Sequence, residues 1–324
     1  MNGQENRAEP PLSVVIPSRS RADLLCQCLT SVREHAPVGT EVIVVDDASQ
    51  RGVISQIARE FTSVRVLRTE KSRGFSAAVN LGIRHARAAI VEVLNDDTEV
   101  EHGWADAVLR LFHERPQVVA IAPLVIRFDS TCALPRIDSA GDRYHLGGFA
   151  QKRGNGALLA DRPLQTEEVF GASGSSAFFR RDALERIGFF PESFGSYFED
   201  VDVSFRLRRM GGKILFVPES RVWHHVHASF GRPDRRLLEQ QSRNEELVFW
   251  RNMPARLLPQ AIPWHLAVLA AKGLRRWREG KLLSFLVGRL RAFSEFASVL
   301  RHRKSLCTGD VDSLLLDRGL PRPG

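Results

Sequence analysis

The chain has 324 residues, 43% hydrophobic and 26% charged. That is enough apolar side chain for one large core or two ordinary ones, and it excludes a disordered, fibrous or disulfide-stapled protein. The formal net charge is +8, yet residues 251–304 alone carry +10, twelve Lys/Arg against Glu279 and Glu295, which leaves −2 for the rest.

Four cysteines, Cys26, Cys28, Cys132 and Cys307, form no CxxC pair, which argues for reduced thiols in a cytosolic setting and against structural zinc. Residues 1–11 are polar and lack an apolar core, so they are expected to form a disordered tail and carry no secretory signal. The longest uncharged stretch, residues 257–271, spans 15 positions and contains Pro259, Pro263 and His265. A membrane-spanning helix needs about 20 apolar residues, so none is expected, and the chain is read as cytoplasmic.

In chain order, LSVVIP at 12–17 reads as a buried strand stopped by proline. Ser20 and Asp23 then resemble a capping box before a helix carrying Leu24, Leu25, Cys28, Leu29 and Val32. EVIVV at 41–45 is a second strand, 64–67 a third, 76–88 a helix, and 89–94 a fourth strand. This alternation predicts an α/β protein with a mostly parallel sheet covered by helices on both faces. Residues 129–164 are rich in glycine and charge without clear periodicity, and are expected to form a loop-rich insertion. Further strands are expected at 213–217, stopped by Pro218, and after Arg221, with a helix opening around residues 197–203. Beyond Arg251 the pattern is helical. Leu282, Leu286, Leu290, Phe293, Ala297 and Leu300 form one apolar stripe, with Arg289, Arg291 and Arg301 outside it. The domains are therefore read as a tail at 1–11, an α/β domain at 12–250 and a basic amphipathic helical extension at 251–324.

Polar clusters follow three strands: Ser18/Arg19, Asp46/Asp47 and Asn95/Asp96/Asp97. In open parallel sheets this edge binds ligands, although such residues are also ordinary turn formers. Asn95-Asp96-Asp97 offers hard oxygen ligands through which Mg2+ or Mn2+ can bridge to a phosphate. His224 and His225, at the end of a strand, offer imidazoles to complete such a site; the alternative is a surface histidine cluster. Glu199-Asp200 at a helix start offers a carboxylate as general base for a hydroxyl, or else simply interacts with the helix dipole.

The order of motifs is specific. Val-Ile-Pro ends the first strand, then come Val-Val-Asp-Asp-Ala-Ser, Arg-Gly-Phe-Ser-Ala-Ala-Val-Asn-Leu-Gly, Leu-Asn-Asp-Asp-Thr, Gly-Ala-Ser, Tyr-Phe-Glu-Asp-Val-Asp-Val-Ser-Phe-Arg-Leu and Trp-His-His. This series, over residues 12–229, resembles the family 2 glycosyltransferases of the Rossmann-like GT-A fold. Arg243-Asn244 and Arg251-Asn252-Met253-Pro254 resemble their rhamnosyltransferase-like branch.

The resemblance implies inverting transfer of a sugar from a nucleotide-diphosphate donor, dTDP-rhamnose or a UDP-hexose, to a hydroxyl on a glycan or lipid-linked acceptor in cell-surface polysaccharide or glycolipid assembly. It implies that Pro17 and Arg19 border the base and that Asp47 binds base or ribose. Arg73 and Gly74 belong to the donor loop, and Asn95 and Asp96 lie beside ribose and diphosphate. Asp97 ligates Mn2+ or Mg2+ with His224 or His225. Gly171, Ala172 and Ser173 line the acceptor side, and Asp200, next to Glu199, is the base. Two departures stand out: Asn95 replaces the first acid of the Asp-x-Asp element, so Asp96 and Asp97 share its work, and Ser72 stands where many relatives carry Asn.

The basic helices are expected to meet an anionic membrane at the cytoplasmic face; packing on the catalytic domain or a homodimer contact is the alternative. A catalytically silent membrane-associated scaffold is the rival function, motivated by Asn95. Nucleic-acid binding lacks an RNP-type or helix-turn-helix signature, and a dehydrogenase lacks GxGxxG after the first strand.

Overall fold

The apolar run at 12–17 forms β1 (Ser13–Ser18), with every residue buried, and it sits at the centre of a computed structural model describing residues 9–128, 134–161, 164–226, 234–306 and 316–317. The expected alternation follows: α1 (Ala22–His35), β2 (Glu41–Asp46), α2 (Val53–Arg59), β3 (Val64–Arg68), α3 (Phe75–His85) and β4 (Ile90–Leu94). Next come β5 (Thr98–Val100), α4 (Asp106–Glu114) and β6 (Val118–Arg127), then β7 (Arg136–Ser139), β8 (Asp142–His145) and β9 (Phe149–Lys152). After β10 (Glu167–Glu168) and β11 (Ser176–Arg180) lie α5 (Arg181–Arg186), α6 (Glu199–Arg209) and β12 (Lys213–His224). The last elements are α7 (Arg235–Asn252), α8 (Leu258–Arg278), α9 (Leu282–Ser294), α10 (Phe296–Ser305) and β13 (Leu316–Asp317).

The main sheet runs β10-β12-β6-β11-β4-β1-β2-β3, with β5 on β12 and β7 on β6. The half made of β3, β2, β1 and β4 is parallel. Antiparallel β11 then joins it to the parallel pair β6 and β12. Alternation along each strand feeds two cores. Val14 and Ile16 pack with Leu25 and Leu29 of α1 and Val108 of α4, whereas Val15 packs with Val79 of α3 and Leu207 of α6. A third cluster joins Tyr144 and Phe170 to Phe205 of α6 and to Leu247, Val248 and Phe249 of α7. The helix α7 crosses the boundary expected at 250/251 and is pinned to α6, because Asp202 accepts from Arg206 Nε at 2.7 Å, Arg251 Nε at 3.2 Å and Asn252 Nδ2 at 2.8 Å.

Three local expectations change. The stretch read as a loop-rich insertion contains β7, β8 and β9, each four residues long. Strands this short, turned at Gly141 and Gly148 with φ +80° and +82°, leave too few positions for an alternation to show. Second, residues 213–224 form one strand across Pro218, which the ladder absorbs as a register shift between Val217 and Arg221. Third, the stripe on α9 faces outward: Leu290 is 68% and Phe293 53% exposed, while Arg289 is buried. Two causes hold that orientation. Arg289 Nη1 donates to Glu246 Oε2 at 2.6 Å, with Glu245 on its other nitrogen, and α9 presses Gly288 on α7 so closely that a Cβ would lie 2.4 Å from the Glu239 carbonyl oxygen. Among the described residues no helix is long and apolar enough to cross a membrane.

Candidate active site

The chain leaves β4 at Asn95-Asp96-Asp97, and these three residues diverge. Asp96 is buried and accepts from Ser18 Oγ at 2.5 Å, and burial above all pushes its carboxyl up to about 7. Asn95 donates its backbone N–H to the Ser175 carbonyl at 3.0 Å. Asp97 meets a histidine. The antiparallel register of β5 on β12 sets Thr98 opposite His224, and His224 Nε2 lies 3.4 Å from Asp97 Oδ1. The other nitrogen of His224, Nδ1, lies 3.1 Å from Asp138 Oδ2, to which Lys152 Nζ donates at 2.7 Å. Burial works against the His224 imidazolium, but hydrogen bonds to Asp138 and Asp97 outweigh it and raise its pKa. His225 is engaged elsewhere: Nε2 lies 2.7 Å from Glu99 Oε1, and the ring stacks on Phe128 at 4.2 Å. Of the two histidines expected as ligands, only His224 faces Asp97.

On the base side, α6 starts after two residues in the left-handed region, Tyr197 (φ +72°) and Phe198 (φ +67°). Asn244 of α7 holds this turn by donating to the carbonyls of Phe194, Ser196 and Tyr197 at 2.9, 3.1 and 2.9 Å. Both Asp200 oxygens accept backbone N–H groups, Oδ2 from Gly174 and Oδ1 from Val201, each at 2.8 Å. Burial raises the Asp200 pKa and these amides resist the rise. Burial, then the charge of Asp200, lifts its neighbour Glu199 well above the carboxylate range, and among the described residues Glu199 Oε2 has no hydrogen-bond partner. Asp200, with an amide on each oxygen, is the better placed of the two to carry the charge.

Three residues that the sequence reading passed over join this cluster: Asp138, Asp142 and Lys152, all from β7–β9. Asp142 is raised by burial and then by the charge of Asp200, and Lys152 acts electrostatically on both Asp142 and Asp200. A chain of contacts thus runs from Asp97 through His224 and Asp138 to Lys152, whose charge acts on Asp200. On the expected acceptor side, the Gly171 carbonyl accepts from Asp142 N–H at 2.8 Å, and a Cβ there would meet Ser204 Oγ at 2.5 Å. Ala172 and Ser173 are buried beside it.

On the expected donor side, Pro17 is buried in β1 and Arg19 is exposed just beyond it. Asp47 accepts from Thr69 Oγ1 at 3.1 Å, Ser72 Oγ at 2.7 Å, Arg73 N at 2.8 Å and Gly74 N at 3.0 Å. Its carboxylate is engaged in shaping the 69–74 loop. The Arg73 guanidinium pairs with Glu192 at 2.9 Å. The loop also meets the turn before α6: Ser76 N donates to the Gly195 carbonyl at 2.8 Å, and a Cβ on Gly74 would lie 3.1 Å from Gly195 Cα.

Residues 13–188 match the model of Glycosyl transferase family 2, and residues 157–288 that of Glycosyl transferase family group 2. The chain belongs to glycosyl transferase family 2. This family 2 chain is 27% identical over 277 residues to the N-acetylglucosaminyl-diphospho-decaprenol L-rhamnosyltransferase of Mycobacterium tuberculosis, covering 78% of its own length and 90% of that protein. It is 28% identical to the uncharacterized protein y4gI of Sinorhizobium fredii over 69% of its own length but only 25% of that protein. Two solved structures share the fold at 18% identity. GalNAc-T7 with UDP, GalNAc and Mn2+ has a TM-score of 0.58, covering 78% of this chain and 52% of that one. Mannosyltransferase PcManGT from Pyrobaculum calidifontis, in complex with GDP-Man and Mn2+, has 0.53, covering 92% and 86%. The GT-A architecture expected from the motifs is the one these family 2 coordinates display.

Proposed function

We propose that the protein is a metal-dependent inverting glycosyltransferase that moves a sugar from a nucleotide-diphosphate donor, dTDP-rhamnose or a UDP-hexose, to a hydroxyl of a lipid-linked glycan in cell-surface polysaccharide assembly. The observation that carries this reading is that Asp97, His224, Asp138 and Lys152 follow one another at 3.4, 3.1 and 2.7 Å, with the charge of Lys152 acting in turn on Asp200.

Among the described residues no group of three or more His, Cys, Asp or Glu side chains is arranged to hold a metal. Asp97 and His224 supply a hard oxygen and an imidazole, a partial set of the kind that substrate phosphates complete. A Mn2+ or Mg2+ held there would neutralise the charge on the departing diphosphate.

Asp200, both of whose oxygens are aligned by backbone amides, takes the proton of the acceptor hydroxyl as that hydroxyl's oxygen bonds to the anomeric carbon. The bond from that carbon to the diphosphate oxygen breaks, and its electron pair leaves with the nucleotide. Attack opposite the leaving group inverts the anomeric centre. Lys152 offsets Asp138 and the carboxylates of the base side. Glu199, held neutral, adds no second negative charge beside the base.

Peripheral contact with an anionic leaflet at the cytoplasmic face fits the +10 carried by residues 251–304, and a homodimer is the competing use of those helices. The silent-scaffold alternative is not favoured, since the relative matched over nine tenths of its length is named a transferase. Thermal-shift titration with nucleotide sugars, with and without Mn2+, tests the reading: the true donor is expected to raise the melting temperature in a Mn2+-dependent way. No shift with any nucleotide would refute it.

A further inference from the structure

Lys272, Arg275, Arg276 and Lys281 line a cavity of about 130 Å3 between α7 and the α8–α9 turn, walled on the catalytic side by Phe198 and Gln241. Phe198 immediately precedes Glu199-Asp200, and Gln241 is hydrogen-bonded to the Tyr197 side chain. The pocket therefore backs onto the turn that carries the base. Glu245 pairs with Lys272, and Glu279 with Arg275, Arg276 and Lys281, so four cations face two acids and the net charge is positive.

Large apolar side chains next to these cations in the sequence face outward. Leu274, Trp277 and Leu283 are 49%, 64% and 62% exposed and alternate with the cations along the chain. Along α8 only Ala261 and His265 are buried. Among the described residues, eleven of the fourteen exposed large hydrophobics fall between Ile262 and Leu300, far more clustering than scattered surface leucines produce.

We infer that this pocket binds the phosphate group of a lipid-linked acceptor whose lipid lies in an anionic leaflet against the exposed face of α8 and α9. The inference rests on the proposed transfer to a lipid-linked glycan and names where that acceptor is held. Guanidinium and ammonium groups suit phosphate oxygens, and large apolar side chains interleaved with Arg and Lys are the composition of an interfacial surface. A second copy fits less well, because a two-fold contact through this face would oppose two segments of +10 each.

The test is calorimetric titration in EDTA with saturating UDP, using farnesyl diphosphate and inorganic pyrophosphate as probes, together with sedimentation on phosphatidylcholine vesicles with and without phosphatidylglycerol. Arg275→Ser/Arg276→Ser/Lys281→Ser is expected to weaken farnesyl diphosphate binding about tenfold or more, and the milder Lys281→Glu to weaken it in the same direction. Trp277→Ser/Leu283→Ser is expected to reduce sedimentation on phosphatidylglycerol vesicles while leaving pyrophosphate affinity unchanged. Equal farnesyl diphosphate affinity in wild type, triple variant and Lys281→Glu would overturn the inference. So would a stable dimer that does not sediment with phosphatidylglycerol vesicles. Nucleotide affinity, measured separately with Mn2+, distinguishes the failures: its loss in the wild type sinks the proposed function, whereas normal nucleotide binding with unaltered farnesyl diphosphate binding in the variants sinks the pocket alone.

Discussion

Replacing Asp200 by asparagine keeps the side-chain shape and removes the proton acceptor. Both carboxylate oxygens accept backbone N–H groups at 2.8 Å, so an amide satisfies one and turns its own NH2 toward the other. Leaving one buried donor unsatisfied costs about 1–3 kcal/mol of stability. Loss of a general base costs roughly 10²–10⁴ in rate, about 3–5 kcal/mol of barrier. Asp200→Asn is thus expected to melt a few degrees lower, bind Mn2+ and nucleotide normally, and lose nearly all transfer in a single-turnover assay with saturating donor. Glu199→Gln replaces one neutral group by another and is expected to keep most of its turnover, because burial already holds Glu199 protonated. Asp200→Asn within about tenfold of wild type, or a larger loss in Glu199→Gln, would refute this division of roles.

Asp97→Ala and His224→Ala are each expected to remove the Mn2+-dependent part of the nucleotide-induced thermal shift, whereas His225→Ala, its ring on Phe128 and Glu99, is expected to retain it. Asp142 is raised by burial and by Asp200, so it carries a proton at neutral pH and becomes a second negative charge beside the base only as pH rises. Asp142→Asn is therefore expected to keep the acid limb of the pH–rate profile and lose an alkaline inflection; an unchanged alkaline limb would count against the pairing. Burial pushes Glu92 from 4.5 up to about 8, although Trp104 and Ser176 donate to it. Its folded pKa lies above its unfolded one, so the wild type loses stability as pH climbs from about 4.5 to 8. Glu92→Gln is expected to gain urea stability over the wild type across that window, with the gain growing toward the alkaline end.

The fold was legible where strands were long and apolar, as in β1 and β2, whose positions follow from uninterrupted Val/Ile runs ending at a proline or an acid. Asp97 and His224 were legible in the sequence as candidates because they follow or close a strand, and Asp200 because it opens a helix. Asp138, Asp142 and Lys152 were not, since four-residue strands between glycine turns give no period and their acids look like turn residues. The direction in which α9 turns was also hidden. Its leucines recur at helical spacing whichever way they face, and only the pairing of Arg289 with two glutamates on another helix decides between them. The resemblance assigns Asp47 to base or ribose; the hydroxyls and amides from which it accepts come from residues 69–74, whose path the sequence does not disclose.

The contact between Gly74 and Gly195 has a practical corollary for anyone redesigning donor preference. Two main chains from distant parts of the sequence touch there with no side chain between them and share the Ser76–Gly195 hydrogen bond. The segment proposed to surround the sugar nucleotide and the segment leading to the proposed base form a single unit of exchange, so grafting residues 69–76 from another transferase requires transplanting 193–198 with them.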